Sequence, residues 1–537
     1  MIRKKLLIGI FSTLGVGVIA SLVGVGYTVN KSAIKYNAYT SAPMSASTSD
    51  LIQAYFSSAV NGSKLLYLAS FTHSLPLTNA LNITKEENSA IYNYLGKTGF
   101  LLIDDKYGLP IFNDNGIGLK DTNQPIWSTN VASVQFRVDL GSFVTGIAIG
   151  EFLNENQGYF LNDNKLTWAI YGGMPYSSVT SYMGGFQKGI NWFNQNIVPL
   201  KQGYKPIEQV FINYELNGNF SNGFGSNDGD GLINHFLDKK VDVIIPIAGT
   251  QVGSAARLVK QRNARTVVIG VDSPCELDTT ININLPTPIN SNSNDPLLNK
   301  VIQFSSIKNI NVATNKITQL INNPDLVNNN DKSWSNIGGL GYCSLGNLDN
   351  DCVGVSTNGQ KYFLSAIQII NSEVKSYNDA INFLSSRADF KKLDNDKTYL
   401  LGNNVISYAD IYNTGYEMLP LPSNNDTKVS YETRLSKWYD TLYKNDKQAI
   451  SNKSKNISDI LNWINKNQRT ILERSNFSLK DKLTKKSWES NHGIIKIVFQ
   501  SSTSILFDNS FLESCYNGLV SYWKSEGVNI PLPEGKK

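Results

Sequence analysis

A carboxylate and a glycine end two apolar segments that are typical of buried strands. Asp272 follows Thr266–Val271, and Gly249 follows Val241–Ile247 by two residues. An ionised carboxylate at a strand end can accept hydrogen bonds from two vicinal hydroxyl groups of a ligand, and a glycine lets a ligand approach the backbone. Structural roles are the alternatives, since Asp272 could cap a helix that begins near Ser273 and Gly249 could be an ordinary turn residue.

The sequence contains no motif for metal binding, nucleotide hydrolysis or nucleophilic catalysis. The chain has 3 His and 4 Cys, with no HExxH motif, no CxxC pair and no GxxxxGK[ST] phosphate loop. Asp228–Gly231 imitates the middle of a calcium loop, but position one would be Ser226 and position twelve Leu237, so the bidentate Glu is missing. No Ser or Cys lies in a nucleophile motif. We therefore predict that the chain is not an enzyme and uses neither a metal nor a cofactor.

The composition is typical of a large folded protein. Of the 537 residues, 41% are hydrophobic and 11% aromatic, which suffices for more than one hydrophobic core and excludes global disorder. The formal net charge is only +5 and the basic residues are dispersed. This charge distribution argues against a nucleic-acid partner.

The first thirty residues predict an attachment to the membrane. Three basic residues precede Leu6–Val29, an apolar segment without a charge that is long enough to span a bilayer as a helix. Basic residues before the span favour a cytoplasmic N-terminus with the rest of the chain outside the cell. We predict an uncleaved signal anchor over 1–30 and a tether over 31–60, hence a location at the cell membrane; cleavage between residues 41 and 47 is the alternative. The first cysteine is Cys275, which excludes a lipid-bearing cysteine after this segment.

From Lys165 onward, strand-like and helix-like segments alternate. Apolar residues alternate in a strand that ends at Gly172, and further strands are predicted at Val210–Tyr214, Val241–Ile247 and Thr266–Val271. This order predicts an α/β fold with a doubly wound parallel sheet. Ligands of such sheets bind at the carboxyl ends of the strands, so we expect the loops after these strands to converge on one site.

Several segments, in this order and spacing, resemble the basic membrane protein family, which comprises substrate-binding proteins of ABC transporters related to purine nucleoside receptors. The resemblance is carried by Asn130–Arg137, Gly141–Ser142, Tyr171–Met174, Gly184–Phe186, Lys240–Gly249, Val268–Ser273, Phe304–Lys308, Gly339–Ser356 and Asn529–Glu534. It implies a type I periplasmic binding protein fold, in which two lobes close around a ligand without chemistry.

The resemblance also divides the chain. It implies a two-lobed core over 61–357, completed by a C-terminal helix and tail over 508–537. Residues 358–507 show helix-like segments but no strand–helix alternation, and family members do not usually carry such a segment. We predict that 358–507 is a separate, mostly helical insertion that can be removed without unfolding the core.

The resemblance assigns ligand contacts to further residues. Phe224 lies where the family places a base-stacking phenylalanine, with Phe220 as a competitor, and Lys308 matches a lysine near the ligand. Asp139 matches an acidic position near the cleft. In the first loop the family has carboxylates and a stacking Phe, whereas this chain has Phe71–Asn79 with Leu77 near the stacking position. We therefore take two polar residues of that loop as replacement contacts, Thr72 and His73.

Two functions are compatible with these features. The first is a membrane-anchored receptor that binds a nucleoside-like molecule between its lobes and delivers it to the permease of an ABC transporter. The second is a surface interaction protein that keeps the fold as a scaffold while ligand binding is lost or altered. A ligand-induced increase in stability would distinguish the two.

Overall fold

The protein is described here by a computed structural model. It describes residues 39–41, 48–60, 63–69, 73, 76–77, 80–81, 95, 98–104, 131–160, 165–212, 219–322, 343–346, 348, 351–396, 398–401, 404–407, 427–442, 447–462, 465, 496–501 and 511–525. The described strands are β1 (Tyr39–Ser41), β2 (Ser63–Ala69), β3 (Gly99–Ile103), β4 (Val131–Phe136), β5 (Leu166–Gly172), β6 (Ile207–Gln209), β7 (Val243–Ile247), β8 (Val267–Asp272), β9 (Ile302–Lys308), β10 (Cys343–Gly346), β11 (Val353–Val355), β12 (Thr398–Leu401), β13 (Asn404–Ser407) and β14 (Lys496–Ser501). The described α-helices with named bounds are α1 (Thr48–Val60), α2 (Val138–Glu155), α3 (Ser177–Asn196), α4 (Asp230–Asp238), α5 (Gln251–Gln261), α6 (Ile310–Asn322), α7 (Thr357–Ile370), α8 (Tyr377–Ser386), α9 (Ala388–Asn395), α10 (Lys428–Leu442), α11 (Lys447–Ser451) and α12 (Phe511–Ser525).

Most strands belong to two six-stranded sheets. Sheet 1 has the order β1-β14-β2-β3-β4-β10, and all its neighbouring strands are parallel. Sheet 2 has the order β11-β9-β8-β7-β5-β6 and is parallel except for β11, which runs antiparallel to β9. Within each sheet the carboxyl ends of the parallel strands therefore share one edge.

The chain passes between the two sheets after β4, after β9, after β10 and again between β11 and β14. Helix α2 follows β4 of sheet 1 but packs against β9 and β11 of sheet 2. Helix α6 follows β9 of sheet 2 but packs against β4 and α12 on sheet 1. Each sheet with its helices is one lobe, called here lobe 1 and lobe 2 after its sheet. The predicted two-lobed α/β fold with parallel sheets is thereby confirmed.

Strand β2 of sheet 1 buries side chains on both faces, because successive side chains point to opposite sides. Leu65, Tyr67 and Ala69 of β2 belong to the large core cluster that also contains the α6 and α12 side chains and much of lobe 2. Leu66 and Leu68 belong to a second cluster, which α1 covers. Strands that are apolar at nearly every position fit a parallel sheet covered on both faces.

Helices α2 and α3 pack unusually closely because glycines line their contact. A Cβ atom added to Gly185 would lie 2.0 Å from the Ser142 hydroxyl and 2.3 Å from the Asp139 carbonyl oxygen. A Cβ atom added to Gly189 would lie 2.1 Å from the Phe143 carbonyl oxygen. The paired glycines therefore let the two backbones approach to a distance that no other residue type allows.

The segment predicted as a tether, 31–60, contains regular structure. Residues Tyr39–Ser41 form β1, which pairs with β14, and Thr48–Val60 form α1. Leu51, Tyr55 and Ala59 recur at helical spacing and are buried in the second core cluster. Composition alone suggested a tether because Ser and Thr outnumber the apolar residues, but four-residue spacing of those apolar residues makes one buried helical stripe.

Residues 358–507 are not a separate unit in the structure, which differs from the predicted domain boundaries. Strand β14 lies between β1 and β2 of sheet 1, so the predicted insertion supplies an interior strand of lobe 1. Tyr431, Leu435 and Tyr439 of α10 lie in the second core cluster with β2 and β3 side chains. Phe363 and Ile367 of α7 are buried in the large cluster. Non-local packing of this kind leaves no signal in helical periodicity.

A further part of the predicted insertion is attached to the outer surface of lobe 2. The Trp192 indole N–H donates to the Asp389 carboxylate over 2.8 Å, and the Phe390 and Phe143 rings meet edge to face at 5.3 Å. The Gln187 side-chain oxygen accepts from the backbone N–H of Leu400 at 2.9 Å. Helices α2 and α3 are thereby tied to residues 389–400.

The predicted membrane span, Leu6–Val29, lies outside the described residues. Among the helices that the structure describes, none combines the length and the hydropathy that a bilayer span requires.

Candidate ligand-binding site

Three charged side chains meet where the carboxyl ends of the two sheets approach each other. Lys308 ends β9, Asp272 ends β8 and Asp104 follows β3. The Lys308 ammonium lies 2.6 Å from the Asp104 carboxylate and 3.0 Å from the Asp272 carboxylate. The side chains of Lys308 and Asp104 are 5% and 6% exposed, whereas that of Asp272 is 34% exposed. One carboxylate is therefore enclosed between the lobes and the other faces the solvent.

The Lys308 ammonium is held in its charged form. Burial alone would lower the pKa of Lys308, but the carboxylates of Asp104 and Asp272 outweigh burial and raise it well above its ordinary value. This cation lies 3.0 Å from Asp272 Oδ1, and the Asp272 side chain keeps 34% of its surface exposed.

Both acidic residues adopt a left-handed backbone conformation, with φ of +73° at Asp104 and +68° at Asp272. Among non-glycine residues, Asp and Asn tolerate this region best. The chain turns sharply at the ends of two strands, and such local strain is commonly found at functional sites. The sharp turn brings each carboxylate back to Lys308.

The Tyr182 hydroxyl fixes the other side of Asp272. It donates to Asp272 Oδ1 over 3.0 Å from helix α3, and its ring lies 5.6 Å from the Lys308 ammonium. Burial and the nearby carboxylate of Asp272 raise the pKa of Tyr182 well above its ordinary value, so the phenol remains a donor. Asp272 is therefore oriented by a tyrosine and a lysine while part of it stays exposed.

Gly249 adopts the conformation that its predicted role requires. It follows β7, the neighbour of β8, with φ of +53°, and a Cβ atom there would meet no atom within 4 Å. The space beside Gly249 is thus open, and a side chain would be strained by the backbone rather than by neighbours. A ligand can approach the backbone at this point.

An aromatic pair follows β5 on the same edge. Phe224 packs against Gly173, where a Cβ atom would lie 2.5 Å from its ring, and the Tyr176 ring stacks beside it at 6.3 Å and 15°. Phe220, the predicted competitor, is 3% exposed and fills the core beside Gly172 and Val179. The structure therefore places Phe224 at the surface of the site and Phe220 behind it.

The loop that carries Phe224 is fixed by the start of α5. The Thr250 hydroxyl donates to the Phe224 carbonyl over 2.8 Å. The buried Gln251 amide donates to the Ser221 hydroxyl and to the Gly223 carbonyl, both at 3.1 Å. The Phe224 ring is thus held in place before any ligand arrives, which reduces the entropy lost on binding.

The remaining predicted contacts do not join this group. His73 is fully buried, and its Nδ1 lies 2.7 Å from the Tyr55 hydroxyl of α1. Asp139 is also buried, and its carboxylate forms a two-pronged ion pair with the Arg137 guanidinium at 2.9 and 2.8 Å. Leu77 is buried in the second core cluster, and Thr72 lies outside the described residues. His73 was predicted as a replacement donor to the ligand; in the structure it is buried beside α1, a helix that was not recognised in the sequence.

Sequence reasoning missed Asp104, Tyr176 and Tyr182. Asp104 directly follows an apolar parallel strand, as Asp272 does, and this position was a usable signal. Tyr182 lies in α3 among apolar residues at helical spacing, where a hydroxyl group gives no separate indication in the sequence. Among the described residues, no group of three or more His, Cys, Asp and Glu side chains could hold a metal ion.

Two solved structures of solute-binding proteins are similar to this chain over part of its length. An ABC transporter solute-binding protein from Aeropyrum pernix K1 aligns over 65% of this chain and 77% of its own, with 16% identity and a TM-score of 0.37. Another from Conexibacter woesei aligns over 61% of this chain and 84% of its own, with 10% identity and a TM-score of 0.35.

Similarity in sequence is higher among curated proteins. An uncharacterized lipoprotein of Mycoplasma genitalium is 32% identical over 322 residues, covering 51% of each chain. Its homologue in Mycoplasma pneumoniae is 29% identical over 404 residues, covering 65% of this chain. The alignments span only 51% and 58% of these relatives' own lengths. The sequence model of the family described as ABC transporter substrate-binding protein, PnrA-like, matches residues 24–382. The chain therefore belongs to the family of PnrA-like substrate-binding proteins of ABC transporters.

Proposed function

We propose that the protein binds a nucleoside-like small molecule between its two lobes and delivers it to the permease of an ABC transporter. The observation that carries the proposal is the row of groups along the carboxyl edge of sheet 2. From β9 to β5 this row consists of Lys308, Asp272, Gly249 and the aromatic ring of Phe224. A nucleoside offers the matching groups, namely hydroxyls for a carboxylate and a planar ring for an aromatic face.

The distance between Asp272 and the aromatic end of the row suits a ligand about as long as a nucleoside. Strands β8 and β5 are separated only by β7. Neighbouring strands lie about 4.8 Å apart, so Asp272 and Gly173 are about 10 Å apart along the edge. A ligand with hydroxyl groups at one end and a flat ring at the other can reach both groups at once.

Lobe closure follows from the position of Lys308. It belongs to lobe 2 and leads directly into α6 of lobe 1, and its ammonium group contacts Asp104 of lobe 1. A ligand that engages Asp272 therefore acts on the residue that joins the lobes. The motion is a hinge motion in which no covalent bond changes.

We further propose that the protein is anchored to the membrane with its bulk outside the cell. The two curated relatives are named lipoproteins, and the apolar segment Leu6–Val29 supplies a different means of attachment here.

The decisive experiment measures thermal and urea unfolding of the full chain with and without inosine, guanosine, adenosine and uridine. A ligand at 100 times its Kd stabilises the folded state by about 2.7 kcal/mol. Asn tolerates the left-handed backbone at position 272 as Asp does, but it carries no charge. The variant Asp272→Asn should therefore lose most of that stabilisation by the ligand. If no nucleoside stabilises the wild-type protein, the proposal fails and the scaffold interpretation is favoured.

A further inference from the structure

Tyr176 is an exposed aromatic residue at the edge where the candidate ligand contacts gather. It directly precedes α3 and follows the end of β5, and 46% of its surface is accessible to solvent. A single exposed ring is common on protein surfaces, so its meaning depends on the groups beside it.

The ring of Tyr176 lies almost parallel to the ring of Phe224. The two ring planes differ by only 15°, with centroids 6.3 Å apart. Phe224 is held from behind by Gly173, Thr250 and Gln251, as described above. Together the two rings form an aromatic platform on lobe 2, called here the Tyr176–Phe224 platform.

Helix α3 connects this platform to the carboxylate. Tyr176 precedes its first residue, and Tyr182, six residues later, donates to Asp272. Six residues make fewer than two helical turns, so Tyr176 and Tyr182 lie near the same end of α3. The platform and Asp272 thus lie on one rigid framework at a fixed separation.

We propose that Tyr176 is a ligand-contacting residue that stacks, beside Phe224, on the planar ring of the ligand whose hydroxyl groups bind Asp272. This inference rests on the proposed function and assigns the ring of the ligand to lobe 2. The contact made by Tyr176 comes from its aromatic face, not from its hydroxyl group.

Isothermal titration calorimetry with inosine, guanosine, adenosine and uridine tests the assignment. Loss of a base–aromatic stack weakens binding by about tenfold or more, so Y176A should show that loss while Y176F stays within about twofold of the wild type. The matched control is L200A, which removes another exposed apolar side chain, 60% accessible, beyond the opposite end of α3. Circular dichroism and the melting temperature verify that each variant folds.

A second readout reports the stack directly. Y176W places an indole on the platform, and its fluorescence should be quenched by a nucleoside but not by free ribose. If the wild type binds a nucleoside and Y176A binds it equally well, Tyr176 is not a contact, although the proposed function stands. If Y176A and Y176F lose affinity equally, the hydroxyl group carries the contact and the stacking assignment is overturned. If the wild type binds none of the four nucleosides, the proposed function itself fails, and this inference fails with it.

Discussion

Lys308 and Asp104 are 204 residues apart in the chain, yet their charged groups lie 2.6 Å apart in a buried contact between the two lobes. Asp104 belongs to lobe 1, and Lys308 ends a strand of lobe 2 just before the chain returns to lobe 1. The contact is therefore a buried electrostatic link between the lobes at the candidate site.

Asp104→Asn should destabilise the protein without changing its shape. Asn tolerates the left-handed conformation of this position, but it leaves the buried ammonium with Asp272 as its remaining carboxylate. Breaking a buried ion pair costs about 3–5 kcal/mol when no partner remains. Because Asp272 remains as a partner, we expect the free energy of unfolding in urea to fall by only about 1–3 kcal/mol. Asp440→Asn is the control. The Asp440 carboxylate and the Lys453 ammonium are also 2.6 Å apart, but their side chains are 56% and 27% exposed. That control should cost at most about 1 kcal/mol, and equal losses would contradict the buried link.

Gly249→Ala should weaken ligand binding more than it weakens folding. The backbone there has φ of +53° and the added methyl group meets open space, so the folded state loses about 1–2 kcal/mol from strain alone. The methyl group would also occupy the space through which a ligand approaches. Gly203→Ala is the matched control, because Gly203 has φ of +89° and equally open surroundings. Calorimetry should show reduced nucleoside affinity for Gly249→Ala only.

Leu435→Ala should reveal that α10 is part of the lobe 1 core. Leu435 is fully buried among side chains of sheet 1, and Val429 on the same helix is 72% exposed. Truncating a buried leucine costs about 2–5 kcal/mol, whereas Val429→Ala should change the unfolding free energy by no more than about 0.5 kcal/mol. Similar small effects from both variants would mean that α10 does not pack on the sheet.

Replacing 360–507 by a short linker should now abolish cooperative unfolding, contrary to the expectation from the sequence. The deletion removes β14 from the interior of sheet 1 and α10 from its covering layer. Differential scanning calorimetry of the deletion variant is the measurement. A single sharp transition at an unchanged temperature would instead support the prediction that 358–507 is a separate insertion.

Glu276 gives the protein a dependence of stability on pH. Burial raises the pKa of its carboxyl group above the ordinary value of 4.5, although the hydroxyl groups of Ser305 and Ser356 oppose the shift. The folded state then binds the proton more tightly than the unfolded state does. The contribution of Glu276 to stability is therefore present below the ordinary pKa and is lost as pH rises through the raised value. Glu276→Gln should flatten the decline of the urea-unfolding free energy above about pH 4.5, and an unchanged slope would exclude this group as its source.

The sequence was most informative where local pattern decides structure. The strands predicted at Val241–Ile247 and Thr266–Val271 are found at Val243–Ile247 and Val267–Asp272, because a run of apolar residues is a local signal. The strand predicted at Val210–Tyr214 instead lies at Ile207–Gln209, where Gly203 and Pro206 made the start of the strand hard to place.

Contacts between distant segments could not be read from such patterns. Asp104 and Asp272 carry the same strand-end signal, yet only the pairing of two sheets reveals that both meet Lys308. The burial of His73 likewise depends on α1, whose apolar residues are diluted by Ser and Thr. Loop residues therefore needed the tertiary structure before a role could be assigned to them.

The place of β14 beside β1 and β2 also determines the order in which the protein can be made. The strands of lobe 2 all come from residues 166–355, whereas sheet 1 requires a strand from 496–501. A chain that emerges from the ribosome can therefore complete lobe 2 while lobe 1, which starts earlier, still lacks an interior strand. Until β14 arrives, the backbone of β2 presents an unpaired strand edge, the kind of surface on which chains associate wrongly. The edge of β2 is thus covered only after residues 496–501 have been made.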